Sequence, residues 1–266
     1  MNFGSAGTSK KNEFERIKYL KSLDLNALEL EFIHGVYMSE DYAKMLKKYA
    51  NDEIIFSAHA PHYINLNAND LEKLERSKKR IIKSAKVLRH LGKNLVFHCG
   101  YYLNKSKRET YNNIKENLKE VINTLSILNI DINLRPENTG KINIFGDLDE
   151  ILNLCYDLNL FPCVDFHHIY ARSLGKINNY DEFYKILEKI ENILGKESIK
   201  NMHIHLSGVE YGKKGEIRHL PLELSNFNYK DVLKALKDFN VEGTIICESP
   251  LLERDAQLLK KVYETI

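Results

Sequence analysis

The chain has 266 residues, 43% hydrophobic and 29% charged, with a net charge of +2 at pH 7. That composition is ordinary for a soluble globular protein and excludes a disordered one. No run of about 18 apolar residues exists to span a membrane, and near-neutral charge leaves a nucleic-acid partner open, because a groove can be basic on a neutral whole. The N-terminal MNFGSAGTSKK has no apolar stretch of signal-peptide length, so a cytoplasmic location is the expectation. Cys99, Cys155, Cys163 and Cys247 form no C-x-x-C pair and are expected to be buried reduced thiols.

Taken in chain order, β-rich runs alternate with helical patterns. NFGSA (2–6) reads as a short first strand, ALELEF (27–32) as the second and EIIFSA (53–58) as the third. A helix over about 70–90 follows. There Leu71, Leu74, Ile81, Ala85 and Leu88 recur at helical spacing, and Gly92 reads as its stop signal. Then come strands NLVFH (94–98), DINLR (131–135), FPCVD (161–165), KNMHIHL (200–206) and GTIICE (243–248). Further helices are expected over 105–128, 147–157, 180–194, 229–238 and 252–264. Most strands read as continuous apolar runs, as strands covered on both faces do. One unit per about 33 residues suits eight units. The expectation is an α/β fold, a single (β/α)8 TIM barrel occupying residues 1–266 as one domain. A doubly wound sheet would carry a Gly-rich phosphate turn after its first strand, and GSAGTSK lacks the G-x-G-x-x-G spacing.

The ten histidines are not scattered. His34, His59, His62, His98, His167, His168, His203, His205 and His219 all follow or end a predicted strand, and His90 alone lies in a helix. Glu137, Asp165 and Glu248 also emerge from apolar strands, where a carboxylate is costly unless paired or metal-bound. His203 and His205 stand two apart, which puts both on one strand face. Barrel enzymes work at the ends of their strands. His59, His98, Glu137, Asp165, His203 and Glu248, each at a different strand end, could therefore converge on one mouth. They are too many donors for one tetrahedral zinc and suit two ions sharing a bridging carboxylate, with His168 and His219 left for a third.

These residues resemble a known pattern. The segments HAPHYINL (59–66), LERSKK (74–79), FHCG (97–100), ENTG (137–140), DFHH (165–168), MHIH (202–205) and CES (247–249) are similar to those of the endonuclease IV family of apurinic/apyrimidinic endonucleases. The resemblance implies a TIM barrel with two or three zinc ions, or manganese in their place. It implies His59 and His98 on a first ion and Glu137 bridging first and second. Asp165, His203 and Glu248 would complete the second, and His168 and His219 would hold a third.

The implied activity is DNA repair: hydrolysis of the phosphodiester 5′ to an abasic site in double-stranded DNA, with a metal-bound hydroxide as nucleophile. Glu137 and Glu248 would be the catalytic carboxylates, and the protein is expected to act as a monomer. Lys105, Lys107, Arg108, Arg172 and Lys176 are the loop cations expected to meet phosphates.

The chain departs from the family pattern in places. The Asp-x-His pair for the third ion reads Ile217-Arg218-His219, with Glu216 one residue further away. The family's His-Leu-Asn-Asp run after strand seven reads His203-Ile204-His205-Leu206, leaving His205 unassigned. The alternative is a metal-dependent sugar isomerase or epimerase that uses Glu137, Asp165, His203 and Glu248 around one ion. A third class is a barrel that binds DNA or metal without catalysis.

Overall fold

A computed structural model describes residues 1–266. The strands are β1 (Asn2–Ala6), β2 (Ala27–Glu31), β3 (Ile55–His59), β4 (Asn94–Phe97), β5 (Asn133–Pro136), β6 (Cys163–Asp165), β7 (Met202–Leu206), β8 (Gly208–Gly212), β9 (Gly215–Leu220) and β10 (Gly243–Cys247). Eight of them run parallel in the order β5-β4-β3-β2-β1-β10-β7-β6. Between the end strands β5 and β6 the gap is closed by a single parallel bridge, Glu137 to Cys163. The TIM barrel expected from the βα period is the fold observed.

Helices wrap the outside, beginning with α1 (Glu13–Ser22) and α2 (Glu40–Ala50), then α3 (Leu71–Leu88), α4 (Lys107–Ile127) and α5 (Leu148–Leu158). After β6 come α6 (Phe166–Arg172), α7 (Tyr180–Leu194) and α8 (Lys196–Lys200), then α9 (Tyr229–Asp238) and α10 (Glu253–Thr265). No helix is long and apolar enough to cross a membrane. Local chemistry starts the helices where the sequence suggests. The Asp70 side chain accepts from Lys73 N, and Asp147 with Glu150 forms a reciprocal capping box.

Helices α1, α2 and α8 are not among the elements expected from the sequence, and two further departures bear on the site. Helix α6 begins immediately after β6, so DFHH lies on its first turn instead of on a loop. The segment after β7 is an antiparallel hairpin of β8 and β9 instead of a loop.

Alternation divides each strand between two environments. Leu28, Leu30, Phe56, Leu95, Phe97, Ile204 and Leu206 face the helices in the apolar core. The other face carries Glu29, Ser57, Asn94, Arg135, His203 and His205, all but Asn94 buried. TIM barrels ordinarily fill their interior with bulky branched residues. This one fills much of it with a hydrogen-bonded polar network.

Gly92 has a different role from a left-handed helix stop. A Cβ there would lie 1.8 Å from the Phe56 carbonyl oxygen of β3. The turn between α3 and β4 therefore depends on backbone contact that only glycine permits. Gly92→Ala is expected to lower the stability measured by urea unfolding by about 1–3 kcal/mol, the usual cost of overpacking.

Candidate metal centre

The mouth of the barrel holds a cavity of about 400 Å³ lined by His59, His62, His98, Glu137, His168, Glu216, His219 and Glu248, among others. Glu137, just past β5, sits at its centre and divides its two oxygens. Oε2 lies 3.1 Å from His59 Nε2 and 3.4 Å from His98 Nδ1. Oε1 accepts from His205 Nδ1 at 2.8 Å. Burial pushes the Glu137 carboxyl up, yet the surrounding imidazoles, His98 and His205 foremost, hold it well below the usual carboxylate range.

Around this carboxylate three groups of donors stand side by side, and a fourth, Cys163, His203 and His205, lies one layer deeper. The first is His59, His62 and His98. The second is Glu137, Asp165, His205 and Glu248, with His205 Nδ1 3.3 Å from Glu248 Oε1. The third is His167, His168 and His219, joined by Glu216: its Oε2 is 3.0 Å from His168 Nε2 and its Oε1 is 3.4 Å from His219 Nε2.

The backbone orients the rings. His59 Nδ1 is 2.7 Å from the Ala60 carbonyl, His168 Nδ1 is 2.8 Å from that of Asn138, and His219 Nδ1 is 3.0 Å from that of Glu248. Donation from Nδ1 to a carbonyl leaves the Nε2 lone pair turned into the site, which is how proteins prepare a histidine for a metal. Burial drives His98 down to about 3 against the pull of Glu137, so its ring is neutral and holds a free lone pair. Asp165 is both the last residue of β6 and the N-cap of α6, where its Oδ1 accepts from His168 N at 2.8 Å. Burial raises its carboxyl to about 7.

Two buried atoms test whether a cation fits. His98 Nδ1 and Asp165 Oδ2 have no hydrogen-bond partner. Each presents a lone pair into the donor groups, and a cation satisfies both. Imidazole and carboxylate donors suit zinc and its first-row neighbours.

The structure brings together seven of the eight metal residues expected from the sequence: His59, His98, Glu137, Asp165, His168, His219 and Glu248. His203 is the exception. In the strand register Asp165 is level with His205, whereas His203 is level with Cys163, one layer deeper. There His203 Nε2 donates to Glu29 Oε2 at 2.8 Å, and Ser57 Oγ donates to the same oxygen at 2.7 Å. The other Glu29 oxygen lies 2.9 Å from His205 Nε2, so an oblique ion contact braces the inner end of the ring whose Nδ1 faces Glu137. His205, without a role in the sequence reading, stands in the donor group with Glu137, Asp165 and Glu248, where the sequence reading places His203. Its mouthward position within β7 was the available signal.

The third group is likewise completed from a neighbour of the expected position. Ile217 is exposed, and Glu216 turns inward instead. The hairpin carrying Glu216 is pinned to the ENTG segment by Glu216 N donating to the Gly140 carbonyl at 3.0 Å. A Cβ on Gly215 would lie 2.1 Å from that same oxygen.

The loop cations fare less well. Arg172 is consumed by the carbonyls of Thr139, Lys141 and Ile144, which it cages. Lys107 pairs with Asp147 at 2.9 Å, and Lys105 bonds Asn67 Oδ1 at 3.2 Å. The cation that lines the cavity is Lys141, which the sequence reading passed over.

The sequence model of the xylose isomerase-like TIM barrel family matches residues 17–262. An uncharacterized protein of Methanocaldococcus jannaschii is 64% identical over 266 residues, covering 99% of this chain and 97% of its own. A probable endonuclease 4 of Aquifex aeolicus is 28% identical over 201 residues, 74% of this chain and 70% of its own. Among solved structures, a D-tagatose 3-epimerase-like protein superposes with a TM-score of 0.75 at 21% identity, covering 100% of this chain and 96% of its own. Endonuclease IV of Thermus thermophilus does so with a TM-score of 0.72 at 19% identity, covering 99% and 97%. These two structures establish the fold and do not separate the two chemistries.

Substitution distinguishes the two β7 histidines. His205→Asn is expected to lower the number of metal ions bound per chain, read by elemental analysis. His203→Asn is expected to keep that number while costing about 1–3 kcal/mol of stability, because Glu29 loses a buried donor. The reverse pattern would show the assignment to be inverted. Glu216→Ala is expected to remove one ion from a fully loaded protein and leave the ions around Glu137 in place.

Proposed function

The chain belongs to the xylose isomerase-like TIM barrel family, and within it we propose a metal-dependent phosphodiesterase that cleaves double-stranded DNA on the 5′ side of an abasic site. The observation that carries this reading is the number of donor groups. A single-ion sugar enzyme needs one group, and Glu137, Asp165, His205 and Glu248 would suffice. Here two further groups adjoin it, and Glu137 faces the first with one oxygen and the second with the other. Two adjacent cations suit in-line displacement at phosphorus, because together they can serve both the attacking and the leaving oxygen. The relationship to a probable endonuclease 4 supports the same conclusion.

His59, His98 and Glu137 would hold the first ion, Glu137, Asp165, His205 and Glu248 the second, and His168, Glu216 and His219 the third. Zinc suits this set, and manganese is the substitute. When bound, the ions would acidify water and offset charge on the phosphodiester and its departing 3′-oxygen.

The protein's own groups do the rest. Glu248, level with the cavity and only partly buried, presents its carboxylate beside His205, where it can orient a nucleophile. Lys141 on the rim can meet a phosphate. The cavity has room for one sugar-phosphate unit turned out of the helix, a displacement that costs least where no base is left to unstack. The working location under this reading is wherever the cell keeps its DNA, the cytoplasm for a cell without a nucleus.

The single-ion epimerase reading rests on the self-contained second group and on the epimerase-like fold neighbour. One experiment separates the two. Protein purified without added metal is assayed for metal by elemental analysis and for cleavage of an oligonucleotide duplex with one abasic site. Two or three zinc ions per chain are expected, with cleavage that a chelator stops and zinc restores. One ion per chain, no cleavage and turnover of a ketose would transfer the assignment to the epimerase.

A further inference from the structure

Strand β2 carries two carboxylates on the barrel's inner face, Glu29 and Glu31, and their surroundings differ. Glu29, one layer down, takes Ser57 and His203 on Oε2 and has His205 Nε2 2.9 Å from Oε1 in an ion contact without hydrogen-bond geometry. Glu31 is the last residue of the strand, level with His59 in the register, and lines the same cavity as His59, His62 and Glu248. Its Oε1 is buried without any hydrogen-bond partner. A buried acceptor with no donor is costly, and the cost is recovered when a ligand brings the donor.

The chemistry of the donor can be narrowed. Glu31 belongs to none of the donor groups around the mouth. No lysine, arginine or histidine nitrogen forms an ion pair with it. A phosphodiester has no hydrogen to donate. A hydroxyl remains, and the cavity is of a size for one sugar. In an abasic site within a strand, the 3′- and 5′-oxygens of the deoxyribose are esterified. The only free hydroxyl is the hemiacetal at C1′, where the base has been lost. An intact nucleotide carries a base there and has no hydroxyl to offer.

We propose that Glu31 accepts a hydrogen bond from the C1′ hydroxyl of the abasic sugar and so reads the lesion itself. The proposal rests on the phosphodiesterase reading above and adds a specificity-determining residue to it. A site built to bond a hydroxyl discriminates strongly against an analogue that lacks it, because its own polar group is then left unpaired.

The test uses zinc-loaded protein and two duplexes of identical sequence, one with a natural abasic site and one with a tetrahydrofuran residue, which has hydrogen where the abasic sugar has the hydroxyl. Wild-type protein is expected to favour the natural site by about tenfold or more in kcat/KM, the value of one hydrogen bond that pairs a buried acceptor. Glu31→Ala is expected to bring that ratio to within about twofold of one while retaining the wild-type zinc content. Glu31→Gln, nearly isosteric and still an acceptor, is expected to keep part of the preference, and it serves as the check should the alanine variant fold poorly. Equal cleavage of both duplexes by wild-type protein would overturn the proposal. So would loss of a zinc ion from either variant, or an equal fall on both duplexes. Cleavage of neither duplex would overturn the phosphodiesterase reading, and this inference with it.

Discussion

Glu137 ties the barrel to the site. Its backbone makes the parallel bridge to Cys163 that closes the gap between β5 and β6, and its N–H donates to the Phe97 carbonyl of β4 at 3.1 Å. Its side chain, fixed at that seam, reaches His59 and His98 on one side and His205 on the other. A carboxylate buried this completely persists only when compensated by opposite charge or by metal. The same position therefore demands both a closed barrel and a ring of imidazoles. Loosening either would expose the cost of the other.

The polar interior below this carboxylate follows the same logic. Arg135 donates to Asn94 Oδ1 and Asn201 Oδ1, Asn94 lies beside His203, and His203 donates to Glu29. Burial keeps His203 neutral despite Glu29, and Arg135 adds to that effect. A neutral His203 has one N–H, and the geometry gives it to Glu29. Each group thus orients the next, from the lower barrel up to the inner end of His205. An apolar core could match this network in stability. What it could not do is hold His205 in one orientation.

Above the mouth, the ENTG segment and the β8–β9 hairpin behave as one piece. Arg172 gathers the carbonyls of residues 139–144, and Gly140 receives the hairpin at Glu216. A Cβ on Gly140 would lie 2.7 Å from Glu216 Cβ and 2.9 Å from His168 Cδ2. Glycine there is required so that a hairpin and a barrel loop can bring a carboxylate and an imidazole together. The arginine that looks like a phosphate ligand in the sequence serves this assembly instead.

The sequence by itself determined the kind of donors and the face on which they stand. The βα period foretold the barrel. Strand alternation put His203 and His205 on the inner side, and carboxylates leaving apolar strands marked Glu137, Asp165 and Glu248. Its helical spacing also foretold helix α3. Only the tertiary structure decided height and partnership. A period of two repeats unchanged along a strand, so it names a face and is silent about depth. How far β7 is shifted against β6 is set by packing around the whole barrel, and that shift made His205 instead of His203 level with Asp165. Glu216 was hidden for a related reason. Its place depends on a hairpin folding back onto Gly140, a contact between residues some 76 positions apart that no local pattern encodes.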